Sequence, residues 1–267
     1  MGDFDGKVVY ITGIARGQGR SHAIRFAEEG ASVIGLDVAK EVTAIGYPAA
    51  TAEDLEETIR LVKEAGGNIL ARQIDTRDLA AQQQLVADGV AQFGRLDYVI
   101  ANAGVLTWGA VHELSESQFM DVIDVNVNGT WKTLKATIPA MIEAGNGGSI
   151  VIISSVAGIK SMPMQAAYSA SKHALVGLSH TTAKELGQHR IRVNTVHPYG
   201  VDTPMCIEDT DAFAVFEMPE YQPHFLPILP GMAKSRDISD AVMYLCSKSA
   251  RFITASSIEV DMGATKI

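Results

Sequence analysis

Short runs of β-branched and apolar residues alternate along the chain with longer segments of helical pattern, and this alternation restricts the possible folds most. Strands are predicted at residues 8–11, 32–36, 68–73, 98–101, 149–154, 192–196 and 257–260. Helices are predicted at 20–29, 53–65, 79–93 and 117–144, the last with a kink or turn at Pro139. Strands joined through helices form parallel sheets that are covered on both faces. The chain is therefore predicted to be an α/β protein with a doubly wound, seven-stranded parallel sheet.

Two segments interrupt this alternation. An insertion of about 38–52 follows the second strand, and a segment of about 206–234 is rich in proline and aromatic residues. Long loops in a compact domain are either functional or disordered, and the aromatic content of 206–234 favours an ordered substrate lid. No linker, repeat or low-complexity segment divides the sequence, so residues 1–267 are predicted to form a single domain.

The composition excludes several classes of protein. The 267 residues carry a formal net charge of -9 at pH 7, which argues against nucleic-acid phosphates and anionic membrane surfaces as partners. No apolar run is long enough to cross a bilayer, and the polar segment 1–6 leads straight into a strand, so no signal peptide is expected. Cys206 and Cys246 lack metal-ligand spacing, and we expect a cytoplasmic protein without disulfides or a metal site.

A glycine-rich loop follows the first strand and opens a helix. Gly13, Gly17 and Gly19 let the backbone approach a pyrophosphate closely, and the helix N-terminus supplies amide donors. The spacing differs from the common Gly-x-Gly-x-x-Gly fingerprint, and an ordinary tight turn is the alternative. The position of the loop, between a strand and a helix, predicts nucleotide binding.

Two residues bear on the choice of nucleotide. Asp37 ends the second strand, where a carboxylate accepts the adenosine ribose hydroxyls and repels a 2′-phosphate. Arg16 favours NADP instead, because a guanidinium in the glycine loop can bind the 2′-phosphate. A carboxylate that faces a phosphate without a partner raises the free energy of binding more than a surface arginine that lacks a partner. NAD is therefore predicted over NADP.

Tyr168 and Lys172 lie one helical turn apart, so both project from the same face of a helix. A cation beside a phenol favours the phenolate, which can take a proton from an alcohol. An unperturbed tyrosine titrates near pH ~10, so action near neutral pH needs a shift of about three units, or roughly 4 kcal/mol. A single lysine is not expected to supply all of it, and a second positive charge would help. By itself, a tyrosine four residues before a lysine also occurs often by chance in helices that have no catalytic role.

The motifs resemble, in order and spacing, those of the short-chain dehydrogenase/reductase family over essentially the whole chain, which implies a Rossmann-type fold with helices on both faces of the sheet. The resemblance rests on Thr12, Gly13, Gly17, Gly19, Asn102, Ala103, Gly104, Asn126, Ser155, Tyr168 and Lys172. The glycine loop and the insertion after Asp37 further resemble the carveol-dehydrogenase-like, mycofactocin-associated subgroup from actinobacteria. That resemblance implies a tightly held NAD reoxidised by a separate redox partner, and the family implies a homotetramer.

The resemblance also implies a role for each matched position. Tyr168 would take the alcohol proton, Lys172 would lower the phenol pKa, Ser155 would hold the substrate oxygen, and Asn126 would hold a water in a relay with Lys172. The implied cofactor-binding residues are Gly13, Arg16, Gly17, Gln18, Gly19, Asp37, Asp75, Asn102, Ala103, Gly104, Tyr168, Lys172, Pro198, Val201 and Thr203. His197, just before Pro198, is interpreted as a hydrogen-bond donor in a loop.

The substrate is predicted from the apolar residues near the lid. The candidates are Trp108, Met162, Met164, Tyr199, Met205, Phe213, Phe216, Met218, Tyr221 and Phe225. Such side chains suit an apolar secondary alcohol or ketone, although many of them could simply pack the lid. The subgroup resemblance favours an alicyclic or terpenoid-like alcohol, with steroids and aryl alcohols left open. An NADPH-dependent ketone reductase and a non-catalytic NAD-binding redox sensor are the alternatives.

Overall fold

A computed structural model describes residues 4–42 and 45–267, so Thr43 and Ala44 of the predicted insertion lie outside the described residues. Within these residues there are seven strands, β1 Val8–Thr12, β2 Ser32–Asp37, β3 Ile69–Gln73, β4 Tyr98–Ala101, β5 Gly148–Ile153, β6 Ile191–Pro198 and β7 Ser257–Val260. They form a sheet in the order β3-β2-β1-β4-β5-β6-β7, and all neighbours are parallel. The predicted seven-stranded parallel sheet is confirmed.

Helices cover both faces of this sheet. The described helices are α1 Gly17–Glu28, α2 Ala52–Glu64, α3 Leu79–Phe93, α4 Glu116–Ile123, α5 Gly129–Ala144, α6 Ala166–Leu186, α7 Pro204–Ile207, α8 Thr210–Phe216 and α9 Ser235–Cys246. One apolar core joins the sheet to α1, α2 and α9, and another joins it to α3, α5 and α6. The chain is thus doubly wound.

Side chains of β1 show why its sequence is continuously apolar. Val9 and Ile11 pack into the core beneath α1 and α9, whereas Val8 and Tyr10 pack into the core beneath α3 and α5. A central parallel strand buries both faces, so it lacks the polar alternation of a half-exposed strand. Each fully buried side chain of this size stabilises the fold by about 1.5–3 kcal/mol.

The order of the strands fixes where a site can form. The chain winds outward from β1 to β3 and then crosses back to place β4 on the other side of β1. The connections that leave β1 and β4 therefore diverge, which opens a crevice at the carboxyl ends of these strands. Gly13 and Asn102 follow these two strands directly, and Ser155 follows β5 nearby.

Two predicted helices differ in detail from the structure, and the segment predicted to be an ordered lid contains helices. The segment 117–144 is interrupted by a π-helical turn at Asp124–Asn128, and Pro139 lies inside α5 without ending it. The first helix begins at Gly17, three residues before the predicted start at residue 20. The predicted lid segment is not a loop throughout, because α7, α8 and a 3₁₀ turn at Gln222–Phe225 lie within or beside it.

Candidate active site

The glycine loop is shaped by backbone contacts that no side chain could tolerate. Gly13 has φ +73°, in the left-handed region, and a Cβ built on Gly19 would lie 1.9 Å from the Gly13 carbonyl oxygen. Gly17, with φ +54°, begins α1 and faces the methyl group of Thr203. The loop therefore brings backbone N–H groups and the helix N-terminus to the crevice with no side chains between them.

Thr12 and Asn102 join the loop to the neighbouring strand. The Thr12 hydroxyl oxygen accepts hydrogen bonds from the backbone N–H groups of Asn102 and Ala103, both 3.0 Å long. In return, the Asn102 amide donates to the carbonyl oxygens of Thr12, at 3.0 Å, and Gly13, at 3.2 Å. These bonds fix the two sides of the crevice relative to each other.

Asp37 is buried at the end of β2 and faces the glycine loop. One carboxylate oxygen accepts from the Ala15 N–H and the other from the Ala39 N–H, each at 2.9 Å. Burial raises the pKa of Asp37, while these bonds and the charge of Arg16 oppose that effect. Each carboxylate oxygen still has a lone pair for a further donor such as a ribose hydroxyl.

The insertion after β2 lies across this crevice. We call residues 38–42 and 45–51 the strap. Arg16 donates a hydrogen bond to the carbonyl oxygen of Pro48 in the strap, so its guanidinium anchors the strap rather than standing free in the glycine loop. Tyr47 is buried, and its hydroxyl accepts a hydrogen bond of 3.4 Å from the Leu106 N–H.

The crevice under the strap is a cavity of about 180 Å³. Its lining includes Gly13, Arg16, Gly17, Gln18, Gly19, Asp37, Asp75, Asn102, Ala103, Gly104 and Thr203, together with Lys40, Val42, Ile45, Tyr47, Thr76, Arg77 and Val125. Asp75 is held by Arg77 through several hydrogen bonds of 2.7–3.0 Å. The side-chain carbonyl oxygen of Gln18 is buried and has no partner among the described residues. The glycine cradle, the carboxylate at β2 and this unsatisfied oxygen fit a dinucleotide.

Ser155, Tyr168 and Lys172 meet at a second cavity beside the first. Ser155 follows β5, and the other two lie on the inward face of α6. The Ser155 hydroxyl lies close enough to the Tyr168 phenol to lower its pKa by hydrogen bonding. Lys172 is buried, donates a hydrogen bond of 2.9 Å to the Ile153 carbonyl oxygen, and places its Nζ 5.4 Å from the centre of the Tyr168 ring.

Burial shapes the acid–base chemistry of this trio. It raises the pKa of Tyr168 to about 12, although the hydrogen bond from Ser155 opposes the rise. It lowers the pKa of Lys172 to about 7. Desolvation disfavours the charged form of both groups, so a further positive charge close to the phenol is needed before it can act as a base near neutral pH.

Asn126 lies in the π-helical turn between α4 and α5. Its side-chain oxygen accepts from the Val105 N–H at 2.8 Å, and its amide donates to the Val105 carbonyl and the Ser171 hydroxyl, both at 3.0 Å. Its side chain therefore holds the loop after β4. A Cβ built on Gly104 would lie 3.2 Å from Asn126 Oδ1 and 3.4 Å from Lys172 Nζ, so the two polar groups border the same glycine. The relay through water stays a prediction.

The second cavity, of about 300 Å³, is the candidate substrate site. The predicted residues that line it are Asn102, Gly104, Trp108, Ser155, Met162, Tyr168, Lys172, Pro198, Tyr199, Val201, Thr203, Met205, Phe216 and Phe225. It shares Gln18, Asn102, Gly104, Thr203 and Met205 with the first cavity. The two cavities are therefore adjacent parts of one cleft.

Phe213 was wrongly predicted to line this site. It lies on α8 with 48% of its surface exposed, because Ala212, Val215 and Phe216 form the inward side of that helix. Three further candidates are also absent from the cavity wall, namely Met164, Met218 and Tyr221.

Residues 7–212 match the family model described as short chain dehydrogenase. The chain belongs to the short-chain dehydrogenase family. Relatives extend the similarity over its whole length: an NAD-dependent oxidoreductase of Mycobacterium tuberculosis is 51% identical over 269 residues, covering 99% of this chain and 98% of that protein. A (-)-trans-carveol dehydrogenase of Rhodococcus erythropolis is 41% identical over 278 residues, and the match covers 99% of this chain and 99% of that protein.

A solved structure supports the same family assignment. A short chain dehydrogenase from Mycobacterium paratuberculosis, bound to NAD, is 46% identical and has a TM-score of 0.97, with 100% of both chains covered. The family predicted from the sequence motifs is thus confirmed for this short-chain dehydrogenase.

The motifs of this short-chain dehydrogenase did not indicate several residues that line or border the candidate site. Further residues of the substrate cavity are Leu106, Val156, Gln165, Cys206, Ala212, Pro227 and Met232. Asp209 was also missed, although an aspartate that precedes a short helix is a recognisable N-cap signal. Its carboxylate accepts from the N–H groups of Asp211 and Ala212 at the start of α8.

The strap and the lid touch each other. We call residues 202–232 the lid; it begins and ends at the β-bridge between Val201 and Ala233. The Gly46 carbonyl oxygen accepts from the Thr210 N–H at 3.3 Å. A Cβ built on Gly46 would lie 2.6 Å from Asp209 Oδ1, so strap and lid are in close contact above the cleft.

Among residues 4–42 and 45–267, no group of three or more His, Cys, Asp or Glu side chains could hold a metal ion. In the same part of the chain, no helix has the length and apolar character needed to span a membrane.

Proposed function

We propose that this short-chain dehydrogenase uses NAD to interconvert an apolar secondary alcohol and the corresponding ketone, and that the whole chain acts as one dinucleotide-binding and catalytic domain. The observation that carries the proposal is the position of Tyr168 and Ser155 together. Their hydrogen-bonded hydroxyl groups face an apolar cavity that is continuous with the glycine-loop crevice. A substrate oxygen beside this pair has both a proton acceptor and a hydrogen-bond donor.

Each side chain has a separate task in this proposal. Tyr168 accepts the proton of the alcohol in oxidation and returns it to the ketone oxygen in reduction. Ser155 holds the substrate oxygen as its charge changes. Lys172 keeps a positive charge on the buried side of the phenol and stabilises the phenolate. NAD, when bound, supplies the hydride acceptor and a second positive charge.

The preference for NAD over NADP follows from the carboxylate of Asp37. It lies at the end of β2, with one oxygen bonded to Ala15 in the glycine loop and the other to Ala39, and a 2′-phosphate there would face a buried negative charge. Arg16 does not compensate, because its guanidinium is engaged with Pro48. The residues that would hold the dinucleotide are those of the crevice, with Gly13, Gly17 and Gly19 at the pyrophosphate.

The substrate proposed for this cavity is an alicyclic, terpenoid-like alcohol. Trp108, Phe216 and Phe225 form an aromatic cluster with ring centres 5.0–5.9 Å apart, and Met162 and Met205 complete an apolar wall. A volume of about 300 Å³ is at the small end of the range for small-molecule sites. The carveol dehydrogenase relative supports the same chemical class.

A panel of secondary alcohols tests this function. Turnover is measured with NAD, with NADP and with an artificial electron acceptor in parallel. We expect oxidation of alicyclic alcohols in the presence of NAD or of the artificial acceptor. A folded protein that binds NAD and oxidises none of them would instead support the redox-sensor alternative, and faster turnover with NADPH and ketones would support the reductase alternative.

We also propose that the strap slows the exchange of NAD and that a separate redox partner reoxidises it. Support comes from the contacts of the strap with Arg16, Leu106 and the lid. The Gly46→Ala variant places a methyl group against Asp209, so nucleotide release should accelerate. Gly187→Ala is the control, because a Cβ there meets nothing within 4 Å. Parent protein that loses all nucleotide on dialysis and turns over freely with added NAD would contradict this proposal.

A homotetramer and a cytoplasmic location complete the proposal. Large apolar side chains are exposed on two separate regions, with Phe119, Met120 and Trp131 on α4 and α5, and Tyr244 and Phe252 at or after α9. Two such regions suit two kinds of subunit contact. Light scattering after size exclusion gives the mass directly. The free cysteines fit a reducing compartment.

A further inference from the structure

A histidine that the sequence placed in a loop lies in the sheet beside the catalytic serine. His197 belongs to β6, is fully buried, and pairs with Glu259 of β7 in the strand register. Its ring Nδ1 is 2.7 Å from the Ser155 carbonyl oxygen, and its Nε2 is 2.7 Å from the Thr195 hydroxyl. Both ring nitrogens therefore have partners, although the proposed reaction does not use the imidazole.

The two contacts fix the tautomer of this ring. A carbonyl oxygen only accepts, so Nδ1 carries the hydrogen and donates it to Ser155. The Nε2 of the neutral ring then accepts the single hydroxyl hydrogen of Thr195, whose oxygen also lies 3.1 Å from the Ser257 hydroxyl oxygen on β7. Burial lowers the pKa of His197, with Glu259, Lys172 and His173 as the charged or titratable groups nearby, so the ring is neutral near pH 7.

The carbonyl that His197 holds belongs to the peptide that directs the Ser155 side chain. Ser155 is extended, with φ -171°, and precedes a 3₁₀ turn whose Gly158 N–H donates to the same carbonyl at 2.9 Å. Its hydroxyl accepts from the Ala157 N–H at 3.1 Å and hydrogen bonds to Tyr168. Rotation of this peptide would move the hydroxyl relative to the phenol.

We propose that His197 is a positioning residue for the reaction: its ring holds the Ser155 carbonyl from β6 and thereby directs the Ser155 hydroxyl toward Tyr168. The Thr195 hydroxyl orients the ring, so two consecutive hydrogen bonds run from Thr195 through His197 on β6 to the serine after β5. The inference rests on the proposed function only for the catalytic consequence. The geometric consequence, a weaker bond from Ser155 to Tyr168, is independent of any substrate.

Three variants separate positioning from simple support of the core. His197→Leu keeps an apolar volume and removes the donor, His197→Asn restores a donor near the position of Nδ1, and Thr195→Val leaves the histidine but removes the group that orients it. The first measurement is the ionisation of Tyr168 in the NAD-bound protein without alcohol, where the positive charge of the nicotinamide should lower the phenol pKa from the value of about 12 that burial gives. It is obtained as the near-ultraviolet difference between each variant and the same variant carrying Tyr168→Phe.

We expect His197→Leu to shift the Tyr168 ionisation toward higher pH by about one unit, which corresponds to the loss of one hydrogen bond, about a tenfold effect. Thr195→Val should shift it less, and His197→Asn should bring it back to near the parent value. Nucleotide affinity should stay within about twofold. In turnover, kcat should fall about tenfold at neutral pH with little change in KM, and the acid limb of the pH profile should move by the same amount.

Specific results would overturn the proposal. Unchanged Tyr168 ionisation in folded His197→Leu protein is one, and equal shifts in the Leu and Asn variants are another, since they would indicate a structural role alone. If the Leu variant does not fold, the other two variants still test the proposal. Unchanged Tyr168 ionisation in Thr195→Val, together with parent-like ionisation in His197→Asn, would also contradict it. Absence of alcohol oxidation in the parent would contradict the proposed function but leave the ionisation test intact.

Discussion

The indole N–H of Trp108 donates a hydrogen bond of 3.1 Å to the carboxylate of Asp209. Trp108 belongs to the wall of the substrate cavity, and Asp209 caps the first helix turn of α8 in the lid. Asp209 is fully buried, so one carboxylate connects the lid helix to the aromatic cluster of the cavity wall. Hydrogen bonds to a buried charged group contribute about 1.5–3 kcal/mol.

Asp209→Asn should weaken substrate binding without stopping catalysis. The asparagine oxygen can still accept from the N–H groups that start α8, but its amide cannot accept from the Trp108 indole. We expect KM for the alcohol to rise about tenfold with kcat nearly constant. Trp108→Phe should act similarly, and the double variant should be little worse than either single variant. Asp211→Asn, an exposed neighbour, is the charge-matched control; additive effects would show that the pair does not interact.

The pH dependence of the two reaction directions should be opposite. Burial raises the pKa of Tyr168, so the proton-accepting phenolate increases as the pH rises, while the proton-donating phenol increases as it falls. Alcohol oxidation should therefore rise about tenfold per pH unit on its acid limb, and ketone reduction should decline at high pH. Lys172→Met should move the acid limb of oxidation upward. Oxidation that falls from pH about 6 to about 9 would contradict this role of Tyr168.

Asp37→Asn should weaken the discrimination between nucleotides. It removes the negative charge next to the ribose site and retains an acceptor oxygen for one of the two N–H groups, those of Ala15 and Ala39, that Asp37 holds. NAD affinity should fall and NADP affinity should rise, with a combined change of about tenfold or more in their ratio. Dissociation constants for both nucleotides measure this. An unchanged ratio would assign the preference to another part of the crevice.

Asp97 should stabilise the fold without affecting the reaction. It is buried just before β4, at the amino ends of the strands and away from the cleft. Its carboxylate accepts from the Val8 N–H at 3.0 Å, from Arg95 at 2.5 and 2.7 Å, and from Asn146 at 2.9 Å. Removal of a buried carboxylate leaves its donors unpaired, so Asp97→Ala should lower the free energy of unfolding by about 2–4 kcal/mol.

Urea unfolding measures this loss of stability. The control is Asp240→Ala, whose exposed ion pair with Arg25 should contribute less than about 1 kcal/mol. Equal losses in the two variants would contradict the importance of burial at Asp97, and a large fall in kcat would contradict its separation from the active site.

The strands, and the residues that follow them, could be predicted because their signals are local. Buried apolar runs mark β1, β4 and β5, and the parallel arrangement brings the segments after them to one edge of the sheet. The prediction that Tyr168 and Lys172 share one face of a helix required only the helical period of about 3.6 residues per turn. These features depend on neighbouring residues in the sequence, so a single chain reveals them.

What could not be predicted depends on contacts between distant segments. His197 belongs to β6 because β7 pairs with it, and Arg16 is engaged because the strap crosses the loop. Phe213 faces outward because the contact of Asp209 with Trp108 sets the orientation of the lid helix. The π-helical turn around Asn126 also escapes prediction, since a single wide turn between two α-helices has no cap or breaker residue that marks it in the sequence.

The most direct test of the central claim, proton transfer by Tyr168, is single-turnover hydride transfer in Tyr168→Phe with a secondary alcohol that the parent oxidises. The variant retains the ring and its packing but cannot accept the proton. We predict that the rate falls at least about a thousandfold while NAD affinity changes less than about twofold. Tyr244→Phe, on the exposed side of α9, is the control and should match the parent. A Tyr168→Phe protein that transfers hydride at the parent rate would contradict the mechanism.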